Sequence, residues 1–509
     1  MSEGNASKAA EKKPDTRLER LEVEEAAANV VPPTREEERR VIRKLDRRLL
    51  PLVFILYTLA ILDRSNLGNA KLAGMEGEID LSGNRYNWLG TVFYIGYILS
   101  QWTCMGWKHF KPHKWCAAVV LYWGFVASVQ ATAFNWGSLM ACRVFLSIAE
   151  AMFGPGVPLY LTFFYPREKV GFRQGVFISG AAMANAYGGA LACEWQREIS
   201  LRKFGLKSFS DGITRIRGSI PPWKILFLIE GLPTCAFAFI AWYFLPDGIT
   251  TTKFLTEREK QVALQVVARN QRLDVGKEHG LRFKEVLDGF KDPKSWIPAI
   301  MYFSCNVSFA SLPLFVPTII KGIGHFDSAQ SNGLSAPPYL LCFFMILLLC
   351  YLSDRFKMRG PFCALGGLLG AIGFIIQATC QTVAARYLGI FFSVEIFASV
   401  ALLLAWVANI HGTESKRAGG YTVLATIGQL GPLLGTNVFP ASEGPYYHKG
   451  MWISAAFCLL VFFLSIILSL WLFWENKNME REGLPAVEGF DETSIARESE
   501  RHEKHRYIW

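Results

Sequence analysis

Four charged residues stand in sequence that is otherwise built to avoid water. Asp63 and Arg64 interrupt the run "LLPLVFILYTLAILDRSNLGNAK", and Arg143 and Glu150 lie within "SLMACRVFLSIAEAMFGPGVPLYLTFF". On insertion scales each such charge costs about 2.5–3.5 kcal/mol at the centre of a membrane helix, so the four must be paired or must line a wet cavity. Arg143 and Glu150 are seven residues apart and share a helix face, but stand about 10 Å apart along the axis, too far for a direct ion pair. Each therefore needs a partner elsewhere, and Asp63 and Arg64 are the candidates. Two acids and two arginines sum to zero charge, which fits a static lock between two helices. It equally fits a machine in which a carboxylate takes up a proton and releases its arginine to bind an anion, since burial and a neighbouring arginine push a carboxylate in opposite directions.

Other polar residues in apolar runs carry weaker signals. Glu230 in "LFLIEGLPT" and Glu395 in "FFSVEIFASV" are acids that either take part in coupling or bond a neighbouring helix. Tyr302, Asn306, Asn185, Gln429 and Asn409 either contact a substrate or join helices, as polar residues in membranes commonly do. Gly154, Pro155, Gly156 and Pro158, and further on Pro313, Pro317, Pro337 and Pro338, mark bends or close crossings. "YLSDRFKMRG" places Asp354 and Arg355 at a helix end, where they either gate a closed state or anchor a loop.

The elements that must position these residues follow from composition. The chain has 509 residues, 51% of them hydrophobic and 19% charged. The charges cluster in the first 48 residues, in the stretch after residue 475 and at the ends of apolar runs. Those runs reach the roughly 20 residues a membrane helix needs. Twelve helices are expected at about 49–67, 86–107, 115–134, 138–161, 172–193, 223–245, 295–320, 332–353, 361–381, 385–409, 418–440 and 450–474. This is an all-α membrane protein with a cytoplasmic tail (1–46), a six-helix bundle (47–245), a linker (246–294), a second six-helix bundle (295–475) and a C-terminal tail (476–509). Within the linker, "LTEREKQVALQVVARNQ" has the period of an amphipathic surface helix. Lys and Arg accumulate in the N-terminal tail and in the 2–3, 4–5, 8–9 and 10–11 connections, which places both termini and the linker in the cytoplasm.

The 5–6 connection departs from this rule, with Arg197, Arg202, Lys203, Lys207, Arg215 and Arg217 on the side expected to face outward. Three explanations stand together: an anion-attracting vestibule, a tolerated loop, or residues 193–211 as a translated intron that interrupts a Gly/Ala-rich helix end. Sequencing the cDNA separates the third from the other two.

Several functions are excluded. The net charge of +10 lies in short clusters at helix ends rather than in a basic, aromatic-interleaved nucleic-acid module. No soluble-enzyme motif or nucleotide loop is present, so the chain is read as a non-enzyme, without metal or cofactor, and any uphill work must draw on an ion gradient. The eleven cysteines include no C-x-x-C and read as small apolar fillers.

Two groups of six helices with "YLSDRFKMRG" in the second half resemble the major facilitator superfamily, although the first-half counterpart, "GWKHFKPHKW", lacks the Asp-Arg element. "LDRSNLGNAKLAGM", "RVFLSIAEAMFGPGVPLYLTFFYPRE", "WKILFLIEGLPT", "SAPPYLL" and "HRYIW" together are similar to the fungal allantoate permease family of anion:cation symporters. The likeness runs from about Arg35 to the end. The 5–6 connection is longer than that family usually shows. The resemblance implies a monomer at the plasma membrane that takes up a small organic anion (a carboxylate, vitamin or ureide) with protons. It implies proton exchange at Asp63 and Glu150, substrate contact at Arg143, with Arg64 as the relay beside them, and it leaves Asn306 and Tyr302 as further substrate contacts. The alternatives are a metabolite exporter working by proton antiport and a nutrient sensor that does not transport.

Overall fold

The structure, a computed structural model, describes residues 33–203, 221–271, 283–324, 326–410 and 414–481. Residues 1–32 and 482–509 of the two tails, the latter with "HRYIW", and residues 204–220 of the 5–6 connection lie outside the described residues, as does the 204–211 part of the 193–211 segment. Among the described residues the secondary structure is helical, with no strand.

Twelve helical passages follow one another. Passage 1 is Arg35–Leu72. Passage 2 is Arg85–Ser100, continued by short helical turns to His109. Passage 3 is Pro112–Val129. Passage 4 is Trp136–Phe153, resumed at Gly156–Leu161. Passage 5 is Arg167–Lys203 and passage 6 is Pro222–Phe244. Passage 7 is Pro293–Gly324, passage 8 is Ser328–Phe356 and passage 9 is Gly360–Thr379. Passage 10 is split into Val383–Ser393 and Ile396–Ile410, passage 11 into Glu414–Gly428 and Gly431–Gly435, and passage 12 is His448–Arg481. Among the described residues nine of the helices, those of passages 3 to 10 and 12, are long and apolar enough to cross a membrane by themselves.

Local chemistry sets the ends. Passage 1 starts on a reciprocal cap, with the Glu37 N–H donating to Thr34 Oγ1 and the Thr34 N–H donating to Glu37 Oε2. Asn135 with Ser138 caps passage 4 in the same way, and Asp327 with Gln330 caps passage 8. Each such cap satisfies helix N–H groups that have no intrahelical acceptor.

Two expectations are corrected. Passage 1 begins at Arg35 rather than near residue 49, because the preceding segment is amphipathic: Val41, Ile42 and Leu45 are buried, while Arg39, Arg40, Arg43 and Arg47 are exposed. Passage 5 continues through residue 203, so the chain at 193–203 prolongs a helix instead of interrupting one. The glycine and proline signals divide. Gly154–Pro155 breaks passage 4, whereas passages 7 and 8 stay helical through Pro313, Pro317, Pro337 and Pro338. The break in passage 10, at Val394–Glu395, had no glycine or proline to announce it.

In the linker, a surface helix at Glu257–Gln271 lies where the amphipathic period placed it, and a second one spans Phe283–Lys291. The first is tied to passage 1 by Lys44–Glu259 at 2.7 Å and Arg258–Glu37 at 3.3 Å.

The halves meet along passages 5 and 8 over their whole length, and along passages 1, 2, 7 and 11 at one end. That end carries the 1–2 connection, which the sequence-based topology faces outward. There Gly68 packs on passage 7 so closely that a Cβ would stand 2.9 Å from the Pro313 carbonyl oxygen. Tyr86 donates to the Leu314 carbonyl at 3.1 Å, and the Thr91 and Thr436 hydroxyls bond at 2.8 Å.

Candidate functional site

Asp63 and Arg64 sit about two and a half turns before the end of passage 1, on adjacent positions that point to different surroundings. Arg64 reaches across to passage 4, where its Nε donates to Glu150 Oε2 at 2.9 Å and its Nη2 bonds the same oxygen. The guanidinium is walled by the rings of Phe93, Tyr94 and Tyr97 on passage 2, with centroids at 4.8, 5.8 and 5.5 Å. Aromatic faces attract a cation and exclude water, so they strengthen the ion pair they enclose. Glu150 is buried, and its second oxygen has no partner among the described residues.

Arg143 lies two turns before Glu150 and is also buried. Its Nη1 donates to the Arg64 backbone carbonyl at 3.3 Å, while its Nε and Nη2 find no partner among the described residues. Arg143 is therefore a desolvated cation whose hydrogen-bonding capacity is mostly unspent. Unpaired buried donors are costly, and hydrogen bonds from a charged donor are the strong ones.

Asp63 turns away from Arg64. Its Oδ2 receives the Thr234 hydroxyl of passage 6 at 3.5 Å, a long contact, since the same hydroxyl donates to the Glu230 carbonyl at 2.9 Å. The four residues singled out in the sequence thus lie in one bundle, and the sequence left their pairing open. The pair that forms is Arg64 with Glu150.

Arg64 and Arg143 both line a cavity of about 20 Å³ between the halves. Ser65, Phe93, Tyr94 and Asn185 stand in the first half's wall with apolar neighbours from passages 1 and 2, and Phe309, Ala310, Pro313 and Leu314 of passage 7 form the second half's. A space of that size holds about one water. The halves must separate before anything much larger than a water fits.

Tyr302 and Asn306 lie one to two turns earlier on passage 7 than this wall. Asn306 Nδ2 donates to the Gly428 carbonyl at 3.0 Å, and the Tyr302 ring packs on Gly428. Both therefore brace passage 11 where it breaks. Glu395 is buried at the break in passage 10 with both carboxylate oxygens unpartnered among the described residues.

At the far end of the seam between passages 5 and 8, Asp354 Oδ2 receives the Phe172 N–H at 3.0 Å, and Asp354 is ion-paired with Arg359. Lys357, at φ 54°, turns the chain so that Arg359 comes back against the helix end. Arg359 is buried and its Nη1 also donates to Ser353 Oγ at 3.3 Å. Arg355 is exposed and reaches the Tyr351 hydroxyl at 3.5 Å. The sequence reading named Asp354 and Arg355 together, without a partner for Asp354. The partner is Arg359, and the signal for it was the turn-forming "KMRG" that follows. Within the first half a bidentate tie joins passages 5 and 1, from Arg173 Nε and Nη2 to Asp46 at 3.0 and 2.6 Å. The three aromatic residues around Arg64 were also missed, although "FYIGY" spaces them along one side of a helix.

Comparison with known proteins agrees with this architecture. Residues 53–436 match the family model of the Major Facilitator Superfamily. The chain is 30% identical over 444 residues to the MFS-type transporter efuF of Hormonema carpetanum, covering 86% of each. It is 27% identical over 439 residues to the high-affinity nicotinic acid transporter of Saccharomyces cerevisiae, covering 86% of this chain and 78% of that one. In fold it is similar to the xylose transporter XylE of E. coli in a partially occluded inward-open conformation. There the TM-score is 0.56 at 14% identity, over 87% of this chain and 99% of that one. The chain, a multi-pass membrane transporter by this kinship, belongs to the major facilitator superfamily.

Proposed function

We propose that this transporter takes up a small organic anion, a carboxylate, vitamin or ureide, together with protons, as a monomer at the plasma membrane with both termini in the cytoplasm. The observation that carries the reading is the cavity between the halves. It is lined by one arginine held in an ion pair with a buried glutamate and by a second arginine with two nitrogens that have no partner among the described residues. In the empty state Glu150 neutralises Arg64. A proton arriving on Glu150 from the outer solution breaks that pair. Arg64 and Arg143 then present two guanidinium forks to the carboxylate of the substrate, a geometry that suits bidentate recognition. When the proton leaves toward the cytoplasm, Glu150 reclaims Arg64 and the anion is released.

Asp63 holds charge balance behind this exchange, and Asp354 with Arg359 closes the opposite end of the seam. The name of the yeast nicotinic acid relative supports a carboxylate cargo. Together with the motifs shared with the allantoate permease branch, it favours import over export.

The test is uptake by reconstituted protein under an imposed inside-alkaline gradient, with labelled nicotinate, pantothenate, biotin and allantoate. Accumulation of one of them that collapses when the gradient is dissipated supports the proposal. Efflux of a preloaded compound against its gradient, with no uptake, contradicts it.

A further inference from the structure

Behind the Arg64–Glu150 pair lies a third buried acid that the uptake scheme does not use. Glu230 on passage 6 is 2% exposed, and neither of its carboxylate oxygens has a partner among the described residues. It lies within charge–charge range of Asp63 and Arg143. Asp63, also 2% exposed, feels Glu150 and Arg143 of passage 4 besides Glu230 and has Thr234 as its long hydrogen-bond contact. Cys235 on passage 6 also faces Asp63. The Thr234 hydroxyl has one hydrogen, and the shorter bond to the Glu230 carbonyl takes it. The Trp123 indole N–H of passage 3 also approaches Asp63 but makes no hydrogen bond within normal geometry among the described residues, so neither acid has a strong donor.

Charge balance governs how many protons the cluster holds. Asp63, Glu150 and Glu230 are three acids enclosed with two guanidiniums, Arg64 and Arg143. With every group ionised the cluster keeps one uncompensated negative charge out of contact with water, a state that low-dielectric surroundings penalise heavily. One proton removes it. Glu150 is the least favourable place for that proton, because it already accepts two charge-assisted hydrogen bonds from Arg64.

We propose that Asp63 and Glu230 form a carboxyl–carboxylate pair that holds one proton at neutral pH, a second proton site set behind the one at Glu150. This rests on the coupling reading above and adds a site to it. When Glu150 is protonated and a monoanion is bound, the cluster is neutral again, provided that the pair keeps its proton. The pair thus fixes the balance at one transported proton per monoanion.

The charge count makes an unusual demand. Removing either acid of the pair leaves two acids for two arginines, so the survivor must ionise. The experiment is infrared spectroscopy of the protein in lipid nanodiscs at neutral pH, which reads the C=O band of protonated carboxyls without any substrate and so stands apart from the transport assay. The background is Glu395→Gln, because Glu395 is buried without a partner and contributes a band of its own. The expected result is a protonated-carboxyl band in that background that is lost in Glu230→Gln and equally lost in Asp63→Asn. If a variant does not fold, carboxyl-13C glutamate labelling of the unmutated background takes its place, and the band is expected to shift. A background without the band, a band that survives Glu230→Gln, or a band that no glutamate label shifts overturns the proposal. Failure of anion uptake with the band behaving as described overturns the coupling reading alone.

Discussion

Arg143 is fastened to passage 1 through the Arg64 backbone carbonyl, 3.3 Å from its Nη1, while two of its nitrogens have no partner among the described residues. The side chain proposed to meet the anion is thereby positioned by the same residue whose guanidinium the buried glutamate holds. Arg143→Lys keeps the charge and loses the planar fork, and Arg143→Ala loses both. A hydrogen bond to a charged group contributes about 1.5–3 kcal/mol, which corresponds to about 10–150-fold in affinity. We expect Arg143→Ala to raise the half-saturating concentration of the transported carboxylate by that factor, and Arg143→Lys to fall between it and the wild type. Initial uptake rates over a concentration series check this.

At the opposite end of the seam, Asp354 and Arg359 separate the structural reading from the sequence reading. Asp354→Asn leaves Arg359 buried without its counter-ion, and breaking a buried pair from one side costs about 3–5 kcal/mol. Arg355→Ala removes an exposed guanidinium and is expected to change stability by less than about 0.5 kcal/mol. Thermal unfolding of the two purified variants distinguishes them. Equal losses would mean that Arg355 shares the clamp.

The close approach of passages 1 and 7 gives a conformational test. A side chain at Gly68 meets the Pro313 and Leu314 carbonyls, which are backbone and cannot swing aside. Overpacking of this kind costs about 1–3 kcal/mol, and the cost falls on the conformation in which the two passages touch. Gly68→Val is therefore expected to favour states open at this end. Spin-label distances across passages 1 and 7 should lengthen, and substrate exchange should slow by about 5–150-fold. Unchanged distances would show that the contact is not the closing one.

The linker helix supplies a pH dependence outside the membrane. Partial burial pushes the Glu259 carboxyl up, but the Lys44 ammonium and the Thr256 N–H together bring it below the ordinary value of 4.5. Glu37 is also held below it, by the Thr34 backbone N–H and by Arg258. A carboxyl lowered in the folded state adds stability that is present above its unfolded value and lost as pH falls through the folded one. Docking of residues 257–271 on passage 1 should therefore hold at pH 7 and loosen below about pH 4.5. Hydrogen exchange of that helix at the two pH values measures it, and protection that does not change with pH would contradict the assignment.

The sequence showed which residues had to be near one another, because charge in an apolar run is expensive wherever it falls. Asp63, Arg64, Arg143 and Glu150 were found that way. Which of them pair was not legible, since that depends on how passages 1 and 4 are rotated, and helical spacing alone does not set rotation. Glu230 was seen but not counted with them, because passage 6 is distant in sequence and its place beside Asp63 arises from packing. Passages 3 to 9 and 12 were legible from length and hydropathy. The breaks in passages 10 and 11 were not, because Val394–Glu395 carries no breaker and the glycines at 428 and 431 read equally well as packing positions.

The central claim is that Glu150 couples proton movement to anion movement by holding and releasing Arg64. Its most direct test compares Glu150→Gln with the wild type in proteoliposomes, measuring two quantities on the same preparation: exchange of a labelled monocarboxylate at equal concentrations, and its accumulation under an inside-alkaline gradient. The expected result is that the variant still exchanges and no longer accumulates. A variant that accumulates like the wild type would mean that the Arg64–Glu150 pair is a static lock between two helices and that the coupling group lies elsewhere.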